Sequence, residues 1–215
     1  MKIHVRRKPN DSYQHGDLRQ ALIQAGLKLL TEGGASKLSL RAAAQLAGVS
    51  HAAPYRHFAD KDTLVAAIAE EGFRLLTAHM RAEAARARPG NTVDHLRALG
   101  FGYLDFAVQH PSYLHVIFGG VATSARKTPA LAAAGDEAYQ TLRSAVAAGV
   151  ARGELVAGNV DTLALACWSM MHGLGMLVVD GALPRELCEQ VAAREAAHTL
   201  TQLLYDGMRA RKKGG

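Results

Sequence analysis

Catalytic and metal-binding signatures are missing from this sequence. It has no HExxH pair to hold zinc on a helix, no GxxxxGK loop to cradle a phosphate, no nucleophile elbow, and no pair of carboxylates that spacing would force together. The 10 histidines are scattered, and no His/Cys/Asp/Glu group stands at ligand spacing, so neither a metal nor another cofactor is expected. Cysteine is scarce: Cys167 and Cys188 stand in no redox or metal spacing and make no disulfide framework, which fits core thiols in a reducing cytosol. No apolar run is expected to reach the ~18 residues needed to cross a bilayer. The opening MKIHVRRKPNDSYQHG lacks the apolar stretch of a signal peptide, so the expectation is a cytoplasmic protein with no membrane partner. No repeat recurs at a fixed period, and the one biased stretch, RARKKGG, reads as a solvated basic tail.

What is present is a globular composition with uneven charge. The chain has 215 residues, 49% of them hydrophobic, enough for one sizeable core or two modest ones. Of the formal +6, all the excess lies early: residues 1–90 hold 14 Lys/Arg against 8 Asp/Glu, and the remainder is balanced at 11 against 11. A basic first segment beside a neutral second one points to a polyanion met by the first and another task for the second.

The most organised stretch is KLSLRAAAQLAGVSHAAPYRHFADKDTL, Lys37–Leu64. Ser39 is placed to cap a helix whose apolar stripe is Leu40, Ala43, Ala44 and Ala47. Gly48 ends that helix in a left-handed turn, and Val49 is placed to fill the angle. Ser50 is then expected to cap a second helix in which Pro54 and Phe58, four apart, face inward. His51, Ala52, Ala53, Tyr55, Arg56 and His57 are left on the outer side. This is a helix-turn-helix reading, braced by a preceding helix over His15 to Thr31 with Leu18, Leu22, Ala25 and Leu29 on one face and Gly33-Gly34 as its stop. Met1–Gln14, with Lys2, Arg6, Arg7 and Lys8, reads as a flexible basic arm.

Beyond it, Asp60 is placed to cap a long helix from Lys61 towards Arg86, broken at Pro89-Gly90-Asn91. Helical patterns follow over Thr92–Gln109, from Pro111 through PSYLHVIFGG, over Thr128–Gly149 and Val160–Val179, and from Pro184 to about Met208. The expectation is an all-α fold of about nine helices with no convincing strand. Its parts are an arm (1–14), a three-helix helix-turn-helix domain (15–60), and a helical ligand-binding and dimerisation domain (61–215).

YQHGDLRQALIQAGLKLLTEGG followed by LSLRAAAQLAGVSHAAPYRHFADKDTL resembles the DNA-binding region of the tetracycline-repressor (TetR) family of bacterial regulators. Trp168 with His172-Gly173 in ACWSMMHGLGM resembles the Trp/His-Gly branch of that family's C-terminal domains. The resemblance implies base-facing positions at His51, Ala52, Ala53 and Arg56, with Arg41 able to reach an edge or phosphate, backbone clamps at Tyr55, His57 and Lys61, and Ser50 as a further DNA-binding residue. Lys61 also opens a helix, where free N–H groups favour a phosphate. Arg56 has the bidentate chemistry for a guanine edge, whereas alanines offer apolar contact to a thymine methyl. Pro54 departs from the aliphatic residue common in the family, and near a helix start its missing N–H removes at most one bond.

For the second domain, Phe101, Tyr103, Phe106, Tyr113, His115, Phe118, Trp168, Met171 and His172 offer apolar walls with a few polar tips, as small-molecule pockets do, and would serve equally as core. The last two helices, apolar over wide faces, suit a four-helix dimer interface, and a two-fold dimer suits two DNA half-sites. The resulting expectation is a homodimeric regulator of double-stranded DNA. It binds a palindromic operator and is released by an unidentified small-molecule effector that tilts the Lys61–Arg86 helix. A ligand-independent or activating DNA-binding regulator and an all-α small-molecule-modifying enzyme stand as alternatives.

Overall fold

The computed structural model describes residues 15–120 and 128–209; the expected basic arm and most of the terminal tail lie outside that range. Among the described residues there are nine α-helices and one 3₁₀ turn, with a lone antiparallel bridge between Leu155 and Arg209 as the extended pairing. The chain divides into two compact units, the boundary falling after Leu64.

The first unit contains α1 (His15–Gly33), α2 (Leu40–Leu46), a 3₁₀ turn (Ala53–Arg56) and the opening of α3 (Lys61–Ala84). Its core is built from Leu22, Ile23, Leu27 and Leu30 of α1 with Leu40, Ala43, Ala44, Phe58 and Leu64. Every turn between these elements has a local cause. Ser39 is extended, and its hydroxyl accepts from the Ala42 N–H at 3.1 Å, capping α2 as its sequence position implies. At the other end Gly48 takes φ +70°, its N–H bonds Gln45 and the Val49 N–H reaches back to Ala44. That pair of bonds closes α2 and turns the chain in a conformation a β-carbon disfavours.

Two details depart from the sequence reading. The segment after the turn is a single 3₁₀ turn rather than an α-helix, and it has no side-chain cap; Ser50 contributes its backbone carbonyl, accepting from Ala53 at 3.0 Å. Pro54 sits in the first turn, where an N–H would find no helical partner, and its carbonyl accepts from both His57 and Phe58. The proline thus ties the segment to buried Phe58 without lengthening it into a full helix.

The second unit runs through the rest of α3 and α4 (Thr92–Gln109), α5 (Pro111–Phe118), α6 (Pro129–Ala151), α7 (Val160–Val179), α8 (Arg185–Cys188) and α9 (Gln190–Met208). Asn91, Thr128 and Asn159 cap α4, α6 and α7, each accepting from first-turn N–H groups. α4 is the central helix, packed by α5, α6, α7 and α9, and buries Leu96, Leu99, Tyr103, Leu104 and Phe106. Gly102 lets α3 close on it: a β-carbon there would lie 2.5 Å from the His79 carbonyl oxygen and from Met80 Cα. Asp105, buried on α4, holds Arg194 of α9, whose guanidinium also lies 5.1 Å from the Phe101 ring centre.

Two further expectations are corrected here. The final helical pattern is two helices, because Glu189 is extended (φ −65°, ψ 141°) and restarts the chain as α9. α7 is after all long and apolar enough to cross a bilayer, with a mean hydropathy of 1.6. In the fold its buried side, Ala164, Cys167, Met171, Leu174 and Val178, packs within its own unit, while apolar Leu165 and Leu177 remain exposed on the same helix.

Candidate nucleic-acid interface and buried cavity

In the first unit, burial of Pro54 and Phe58 turns the rest of the 3₁₀ segment outward. Arg41, Ser50, His51, Ala52, Tyr55 and Arg56 are exposed, and Ala53, His57 and Lys61 are half-buried. Tyr55 is 56% exposed, a large value for an aromatic residue without a partner to cover it. The segment is held from below: the Arg19 guanidinium lies 5.7 Å from the Phe58 ring centre, and the His57 and Phe58 rings touch at 6.3 Å. Asp60 caps α3 by accepting from the Thr63 N–H at 2.8 Å. The Lys61 ammonium donates to the Ala35 carbonyl, tying the α1–α2 loop to the start of α3, a role its sequence position did not reveal. An ammonium has three donors, so this bond leaves others for a phosphate. The arrangement presents two arginines, two histidines and a tyrosine hydroxyl on a backbone fixed by a glycine turn and a proline.

In the second unit, a buried cavity draws walls from five helices: Met80 of α3, Leu99 of α4, Leu142 of α6, Trp168 and Met171 of α7, and Tyr205 of α9. Its free space is about 30 Å³, roughly the room of one water molecule. Of the nine aromatic, methionine and histidine residues assigned to a pocket from sequence, Tyr103, Trp168 and Met171 line it. The others sit nearby or apart. Phe106 is fully buried beside His79 and His110, the Tyr113 hydroxyl donates to Glu71, and Phe101 lies under Arg194. Phe118 packs on Phe73, Trp168 and His172. His115 is exposed and bonds Asp180 at 2.8 Å. The aliphatic and methionine members of the wall were missed because aromatics were given priority; methionines recurring on several helices were the available signal.

At the cavity's edge, Tyr103 Oη and His172 Nδ1 are 2.7 Å apart. Burial pushes the tyrosine's ionisation well above its ordinary value and the histidine's below 6.5. Burial thus favours the neutral form of each, and the pair shares one hydrogen bond whose direction is set by the histidine tautomer. Burial also pushes the Cys167 thiol up to about 11, so it is a packing group and not a nucleophile. Among the described residues no group of three or more His, Cys, Asp or Glu side chains is placed to hold a metal ion.

Two family profiles match the chain. One described as bacterial regulatory proteins, tetR family, covers residues 22–68, and one described as tetracyclin repressor-like, C-terminal domain, covers residues 96–204. Among solved structures, a protein of unknown function from Rhodococcus sp. RHA1 is similar at 29% identity and a TM-score of 0.77, over 94% of this chain and 100% of that one. A TetR family transcription regulator from Marinobacter aquaeolei VT8 shares the fold at 19% identity and a TM-score of 0.72, over 90% and 96% of the two chains. The TetR family transcriptional regulator PfmR from Thermus thermophilus does so at 21% identity and 0.66, over 86% and 97%. No curated protein matches by sequence.

Proposed function

This chain belongs to the tetR family of bacterial transcriptional regulators, which bind DNA and are not enzymes; from that premise we propose that it is a cytoplasmic, homodimeric repressor released from a palindromic operator when a small molecule enters the cavity of the second unit. The observation that carries the reading is α3. Its first turn is capped by Asp60 and tied through Lys61 to the loop between α1 and α2, and its far end supplies Met80 to the cavity wall. One continuous helix therefore has a residue at each of the two tasks. A molecule that binds more tightly to one setting of α3 than to another lowers DNA affinity by that difference and by no more.

On the DNA side, Arg56 reads a guanine edge, while Tyr55, His57 and Lys61 hold phosphates and Arg41 supports them. The dimer is supported by exposed apolar residues on α7 and α9, with Leu165, Val191 and Leu203 at 57%, 72% and 63% exposure. Selection of bound duplexes from a random pool tests the reading: an inverted repeat is expected, and a single unrepeated half-site or no enrichment overturns it.

A further inference from the structure

The chemistry of the cavity wall narrows the effector. Of the six methionines in the sequence, Met80, Met170, Met171 and Met208 line this one cavity, and among the described residues no Lys, Arg, His, Asp or Glu does. The polar atoms that reach it are mostly engaged: the Tyr103 hydroxyl with His172, and the Thr201 hydroxyl with the Ala197 carbonyl at 2.7 Å. An ionised ligand would lose its hydration there and meet no counter-charge, whereas an apolar one loses little. Cys167, uncharged at neutral pH, does not change that balance.

The small free space fits the same picture. Methionine is unbranched and turns about three bonds, so a wall of four such side chains opens around an apolar molecule by rotamer change, without breaking hydrogen bonds. Gly100 marks where that freedom is finest: a β-carbon there would stand 3.3 Å from Met171 Sδ and 3.4 Å from its Cγ. We propose that the effector is a neutral, largely apolar molecule that displaces the methionine side chains, with no carboxylate, phosphate or ammonium inside the cavity. This rests on the cavity being the effector site of the regulator described above.

A matched pair of probes tests it on the full chain. N-phenyl-1-naphthylamine is neutral, and 1-anilinonaphthalene-8-sulfonate carries nearly the same rings with one charge. Trp168 is the chain's single tryptophan and lines the cavity, so energy transfer from it to a bound probe is strongest for a probe seated there, and the Gly100 variants separate that signal from probe bound elsewhere. The neutral probe is expected to half-saturate at a concentration at least about tenfold below the anionic one. Gly100→Leu, filling the space beside Met171, is expected to abolish transfer; Gly100→Ala, a milder change that keeps the fold, is expected to weaken it several-fold. Equal or tighter binding of the anionic probe, or transfer unchanged in Gly100→Ala, overturns the proposal. The regulatory reading fails separately: a neutral probe that fills the cavity and leaves operator affinity unchanged overturns release by ligand while the cavity's chemistry stands.

Discussion

Arg56 and Arg41 are both exposed arginines of the first unit, and the two differ in what they are expected to do. Arg56 follows Pro54 in the 3₁₀ turn, and Arg41 stands in the first turn of α2. Arg56→Ala is expected to cost about 1–3 kcal/mol on the preferred operator and to relax discrimination at one base position, measured by fluorescence anisotropy on single-base operator variants. Arg41→Ala is expected to weaken binding evenly across sequences and to lower the salt slope by about 0.9, the worth of one phosphate. A loss for Arg56→Ala that is uniform over all base positions would move it to the backbone clamps. Away from the interface, Gly102 is packed directly against the backbone of α3. Gly102→Ala drives a methyl into the α3 backbone and is expected to lose about 1–3 kcal/mol or more of stability by urea denaturation.

Among the elements, α2 was legible almost to the residue, because its signals are local: a capping serine, a three-four apolar spacing and a glycine that takes φ +70°. Ser39→Ala is expected to destabilise the chain by about 1 kcal/mol, read from the denaturation midpoint, with no effect on the salt slope of DNA binding. The following segment was misread as an α-helix because its inward pair, Pro54 and Phe58, has helical spacing. The structure gives it four residues of 3₁₀ helix: the Pro54 carbonyl already accepts from His57 and Phe58, and Phe58 is turned into the core. The split between α8 and α9 was equally hidden: RELCEQ contains neither glycine nor proline, and the break depends on the extended Glu189 backbone. Pocket residues were hard for a related reason. Helical spacing identifies which residues face inward, but only the packing of five helices decides that Tyr103, Trp168 and Met171 meet Met80 and Tyr205 around one space while Phe106 fills the core.

At the scale of the whole molecule, two expectations concern assembly and pH. Leu165→Asp on α7 with Leu203→Asp on α9 is expected to yield a monomer in sedimentation at micromolar concentration and to abolish high-affinity operator binding, because two half-sites then have no common scaffold. A dimer that survives both changes places the interface elsewhere. For pH, burial lowers the pKa of His95, His110 and His172, with Arg152 adding to the effect at His95 and His79 at His110. The unfolded chain takes up protons near the ordinary value of 6.5 that the fold resists, so their stabilising effect is full above that pH and declines as pH falls through it. The melting temperature is therefore expected to drop between about pH 7.5 and about pH 5.5, and His172→Gln, which keeps an acceptor for Tyr103, is expected to lessen the drop.

The sequence by itself determined the all-α class, most helix limits, the capped and glycine-turned corner of the first unit, and the resemblance to the tetR family, which the family profiles bear out. These follow from interactions within a few residues of one another, which linear spacing records directly. Tertiary structure alone decided that Lys61 spans 26 residues to hold Ala35, that Arg194 pairs with Asp105, and that methionines from α3, α7 and α9 enclose an uncharged cavity. Such contacts join residues far apart in the chain, and nothing in the local pattern of either partner specifies the other.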